Sequence, residues 1–159
     1  MPFDNIRSGY LPVQKVAAAV GAVFLLAGIL GFVPGITTNY SSLSWAGHES
    51  GALLLGVFAV SVLHNVVHLA FGVAGVLMSR TPRAARNFLV GGGIVYAVLW
   101  LYGVVTTDNS SADFVPLNTG DNWLHIVLAI GMITMGVALT REVSERPTEG
   151  GRGTLPHAG

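Results

Sequence analysis

Residues 62–80 read VLHNVVHLAFGVAGVLMSR, an apolar stretch without a formal charge until Arg80. His64 and His68 stand at the i, i+4 spacing that puts both on one face of a helix. Polar groups at membrane depth are costly, so each of them needs a partner or a purpose. Three further uncharged runs lie around this one, at residues 16–33, 88–106 and 123–140. At ~1.5 Å rise per residue each run approaches the ~30 Å of a hydrocarbon core. Composition agrees: 52% of residues are hydrophobic and 10% charged, with a mean hydropathy of +0.63. Soluble domains carry about 25% charged residues.

Every Lys and Arg falls on one side of these runs. Arg7 and Lys15 precede the first run, Arg80, Arg83 and Arg86 join the second to the third, and Arg141, Arg146 and Arg152 follow the fourth. The other two connections, residues 34–61 and 107–122, hold no Lys or Arg but include Glu49, Asp108, Asp113 and Asp121. The positive-inside rule then places both termini in the cytoplasm and those two loops outside, as for a multi-pass plasma-membrane protein. Trp45, Trp100, Tyr102 and Trp123 gather toward the outer interface. A small-residue cluster at 17–19 opens the first run instead of following it, so an uncleaved span is expected there, not a signal peptide.

The expected fold is an all-α integral membrane four-helix bundle. It comprises a cytoplasmic N-terminal segment (1–12), a four-span domain (13–141) and a disordered cytoplasmic tail (142–159). Residues 51–60, GALLLGVFAV, either extend the second helix or lie in the outer interface. Ser61 is expected to cap the second helix, Thr81-Pro82 to start the third, and Asp121 or Asn122 to cap the fourth. Gly21, Gly28, Gly72, Gly75, Gly93 and Gly136 are the expected points of close helix approach, because small residues let backbones meet in lipid. Met78, Met132 and Met135 are expected to pack the interior.

An internal repeat organises these runs. An offset of 61 lays Leu63-His64 on Leu124-His125 and Gly75 on Gly136, while an offset of 72 lays Gly21 on Gly93, Phe24 on Tyr96 and Gly31 on Gly103. Two parallel helical hairpins (helices 1–2 and 3–4) about an axis along the membrane normal would follow. His64 and His125 each stand sixteen positions before an arginine, Arg80 and Arg141, and so lie at equal depth.

His64, His68 and His125 therefore form an outer-half cluster, with Asn65, Asp121, Asn122 and Glu49 as supporting polar groups. Neutral imidazole is a common ligand of divalent metals, so the cluster suits a transition metal, or a haem held between His64 and His125. Hydrogen-bonded histidines in a purely structural or accessory subunit, and a transporter or proton relay, stand as alternatives. Membership in a homo-oligomer or a larger membrane complex is expected for a bundle of this kind. Enzymatic machinery is not indicated: there is no cysteine, phosphate-binding glycine loop or nucleophile elbow, and nothing suggests nucleic-acid binding.

Four stretches carry a resemblance: VGAVFLLAGILGFVPG, LHNVVHLAFGVAGV, VYAVLWLYGVV and FVPLNTGDNWLHIVLAIGM. Together they resemble the small four-span membrane proteins grouped as domain of unknown function 4383, over roughly residues 13–140. Ser61-Val62 stands where that family often has Asn-Pro. The resemblance implies fold and location, and brings no activity or cofactor with it.

Overall fold

The computed structural model describes residues 10–47, 50–105 and 117–144. Helix α1, Pro12–Leu30, starts with a proline at its first turn, where a missing N–H costs nothing. Gln14 is almost wholly buried there, and its Nε2 donates to the carbonyls of Ser79 and Arg80, both at 2.9 Å. That ties the start of α1 to the end of α2, Val62–Met78. Ser61 caps α2, its Oγ accepting from the His64 amide at 3.1 Å. Thr81 does the same for α3, Pro82–Val105, accepting from the Ala84 amide.

Helix α4, Thr119–Ser144, begins a turn earlier than its apolar run. Its cap is Asn118, not Asp121 or Asn122. Asn118 Oδ1 accepts from the Asp121 amide and Asp121 Oδ2 accepts from the Asn118 amide, each at 3.0 Å. This reciprocal capping box makes Asp121 the third helical residue. The helix also runs on past position 141 to Ser144. α1, α3 and α4 (over Thr119–Leu139) are long and apolar enough to cross a membrane, and α2 is a shorter apolar helix of 17 residues.

The helices pair as hairpins, α1 along α2 and α3 along α4, and α1 against α3 is the broadest contact between the pairs. Glycines permit the closest approaches. A Cβ on Gly21 would lie 2.8 Å from Val76 N and 2.9 Å from Gly72 O, so nothing larger fits. At the equivalent place in the second hairpin, a Cβ on Gly93 would lie 2.6 Å from Ile133 Cγ1 and 3.0 Å from Ala129 O. Gly28 lies against Leu69 and the Asn65 carbonyl, and Gly136 against Leu89 and Val90. The buried core gathers Ala17 and Phe24 of α1, Phe88, Leu89 and Tyr96 of α3, and Ala129 and Met132 of α4. Met135, expected inside, faces outward and is 46% exposed, because it lies on the side of α4 away from α3 and the core.

Residues 51–60 do not extend α2. Leu53–Leu54 (β2) and Phe58–Ala59 (β3) form an antiparallel hairpin, and β1, Thr37–Thr38, pairs with β2 on its other side. Gly56 at φ 71° and Leu55 at φ 53° make the turn, a left-handed pair that no helix could continue through. Ala52, Leu54 and Val60 pack onto Ala27 and Leu30, so the sheet caps the end of α1. Thr37 Oγ1 donates to the Leu30 carbonyl at 3.0 Å, satisfying one of the acceptors a helix end leaves open.

Candidate functional site

A ladder of rings crosses the bundle beneath this sheet, with a contribution from every helix. His68 lies one turn below His64 on α2. Its Nδ1–H donates to the His64 carbonyl at 3.1 Å, and the two rings stack at 4.3 Å with planes 13° apart. Phe24 of α1 meets His68 edge-on at 5.3 Å and stacks on Tyr96 of α3 at 5.5 Å. Tyr96 in turn lies 5.2 Å from the ring of His125 on α4. Sequence reading placed the histidines but gave Phe24 and Tyr96 no part in the site. The signal was present, since the two map onto one another in the repeat, and matched positions facing a twofold axis must meet.

The ladder divides two cavities. One, of about 220 Å³, lies between α1 and α4 under the sheet, with Leu26, Leu54, Phe58 and Leu128 among its walls. The other, of about 200 Å³, lies between α2 and α3, with Leu63, Val67 and Leu99 among its walls. His64, His68, Tyr96 and His125 line both. The first reaches the outer surface of the bundle, because its lining residues Val23 and Leu26 are 62% and 55% exposed.

His64, His68 and His125 thus share the walls of both cavities, His64 stacked on His68 and His125 against Tyr96. His125 is 4% exposed and its Nδ1 has no hydrogen-bond partner. Asn65, 1% exposed, lines the first cavity, with its amide against Gly31 and its Nδ2 unpartnered. Asp121 also lines that cavity, but its Oδ2 is already engaged, accepting from the amides of Ala59 and Asn118 and so anchoring the sheet to α4. Asn122 serves the helix pair, its Nδ2 donating to the Gly103 carbonyl at 3.1 Å. Glu49 lies outside the described residues. Below His68, Gly72 and Gly75 are closed against Gly21 and Leu25 of α1.

A metal sits about 2.0–2.1 Å from an imidazole nitrogen, along a lone pair in the ring plane. Nearly parallel rings stacked at 4.3 Å cannot both direct such a lone pair to one point. Among the described residues, no group of three or more His, Cys, Asp or Glu is placed to hold a metal ion. His68 does keep Nε2 as its free nitrogen, since Nδ1 is engaged.

Two hairpins of apolar helices, closed by a small sheet and joined by buried rings, define a helical membrane protein. The chain matches the family described as Domain of unknown function (DUF4383) over residues 14–138, and it belongs to that family. No curated protein and no solved structure matches it.

Proposed function

We propose that this chain is a four-span plasma-membrane protein that binds a neutral, lipid-soluble ligand between its two hairpins, with the ligand's polar head at the histidine wall. α2 counts as a span because it runs beside α1 from end to end. Gln14 at the start of α1 bonds to Ser79 and Arg80, and Asn65 in the first turns of α2 lies on Gly31, just past the end of α1. The one-sided Lys and Arg then favour cytoplasmic termini, with the histidines and the sheet toward the outer face.

One observation carries the binding reading: a cavity with mainly apolar walls is bordered by His125 and Asn65, whose Nδ1 and Nδ2 are buried without partners. A buried polar nitrogen without a hydrogen bond costs about 1–3 kcal/mol, which a hydroxyl or carbonyl of a ligand turned toward it would recover. Neither cavity is lined by Lys or Arg among the described residues, which favours a carbonyl or hydroxyl head over a phosphate or carboxylate. Cavities of about 220 and 200 Å³ fall below the ~300–1,000 Å³ of typical small-molecule sites, which argues against a haem and for a small head whose tail stays in the bilayer. Closure of α2 against α1 below His68 gives a proton relay no route onward in that direction.

The test is lipid analysis of protein purified into nanodiscs. A neutral lipid should be retained well above its share of the surrounding bilayer, and Asn65→Leu and His125→Leu should each lower retention about tenfold, the ~1.4 kcal/mol worth of one hydrogen bond. Retention unchanged in both variants, or stoichiometric transition metal by elemental analysis, would overturn the proposal.

A further inference from the structure

The two cavities are related residue by residue. Offsets of 72 and 61, taken from the repeat in the sequence, carry Ala27 onto Leu99, Leu63 onto Leu124, Val67 onto Leu128 and His64 onto His125. Ala27, Leu124 and Leu128 line the α1/α4 cavity, whereas Leu99, Leu63 and Val67 line the α2/α3 cavity. The pseudo-twofold axis thus exchanges one crevice for the other, and the Phe24–Tyr96 stack lies across it. His125, with its unpartnered Nδ1, belongs to both walls.

From this we infer that the α2/α3 crevice is a second binding site, taking the same class of neutral, lipid-soluble ligand as the α1/α4 cavity. The inference rests on the ligand-binding reading above. Chemistry supports it beyond shape. The second crevice has apolar walls from Leu63, Val67 and Leu99, and its polar wall is the same set of rings. Val67 is 52% exposed, so this crevice too reaches the outer surface. The sites are not identical. Asn65, Asp121 and the β2–β3 hairpin border only the α1/α4 cavity, whereas Ser61 and Leu117 border only the other. The second site should therefore hold the same head more weakly, lacking the Asn65 amide.

The experiment uses the full chain in nanodiscs and a long-chain dialkyl ketone carrying a diazirine, with labelled positions mapped by mass spectrometry. Wild-type protein should be labelled at Leu124 and Leu128 for the first crevice and at Leu63 and Leu99 for the second. Excess unlabelled ketone should compete both away. Leu26→Trp should abolish the first set and keep the second, and Val67→Trp should do the reverse. Both substitutions lie at exposed positions, and the label kept by each variant reports that the bundle is intact. Competable labelling confined to the α1/α4 positions, and lost entirely in Leu26→Trp, overturns the second site while leaving the ligand-binding reading standing. Labelling that excess ketone cannot compete, spread evenly over the lipid-facing surface, overturns both.

Discussion

Phe24 and Tyr96 stack with ring centroids 5.5 Å apart and planes 12° apart. They are equivalent positions of the two hairpins, so the stack joins the repeats across their symmetry axis. Aromatic pairs contribute about 0.5–1.5 kcal/mol beyond the area they bury. Tyr96→Phe should keep the stack and the His125 contact, whereas Tyr96→Ala should cost about 3–5 kcal/mol, as for other large-to-small aromatic truncations. Thermal unfolding in nanodiscs checks the pair, and a similar loss in both variants would assign the effect to the hydroxyl instead.

Close approach at Gly21 makes a sharper test of packing. Gly21→Val places atoms within 3 Å of the Val76 and Gly72 backbone, which cannot rotate away. A loss of about 1–3 kcal/mol is expected from overpacking. Gly131→Ala is the control, since nothing lies within 4 Å of its added methyl. That variant should unfold at or slightly above the wild-type temperature.

Where the start of α1 meets the end of α2, Gln14 supplies donors to two carbonyls. Gln14→Leu should lower stability by about 1–3 kcal/mol through lost hydrogen bonds. Gln14→Glu should be worse, because an ionised carboxylate offers only acceptors to those carbonyls. The order Gln, Leu, Glu in unfolding temperature is the measurement.

Asp121 holds the sheet to α4 through the Ala59 amide at 3.1 Å. Asp121→Ala should raise amide hydrogen exchange at Ala59 and Asn118, and Asp121→Asn, which keeps an acceptor oxygen, should preserve most of the protection. If exchange at Ala59 is unchanged in the alanine variant, the sheet is held by other contacts.

Leu55 occupies the left-handed region at φ 53° while 63% exposed. Leu55→Gly gives up little burial and relieves about 1–2 kcal/mol of backbone cost. A rise in unfolding temperature is expected, and a fall would mean that the leucine side chain contributes more at the cavity edge than its backbone costs.

Helix ends followed local chemistry wherever a single residue decides them. Ser61, Pro12 and Thr81-Pro82 act as their types predict, because capping depends on atoms three or four positions away. The α4 cap moved one turn because Asn118 and Asp121 cap reciprocally, and the apolar run begins only after that turn. Residues 51–60 misled for a different reason. Their composition fits a helix or a strand equally, and the pairing with Thr37–Thr38, about fifteen positions away, decides between them.

Sequence by itself determined the helical membrane class and the four apolar runs, because bilayer thickness and the cost of buried charge act on each segment separately. The family assignment over residues 14–138 rests on the same one-dimensional pattern. Only the tertiary structure decided that His68 stacks on His64, that Asp121 turns to the sheet, and that the rings separate two crevices. Each of those depends on where one helix lies against another, and close packing sets that through contacts between residues distant in the chain.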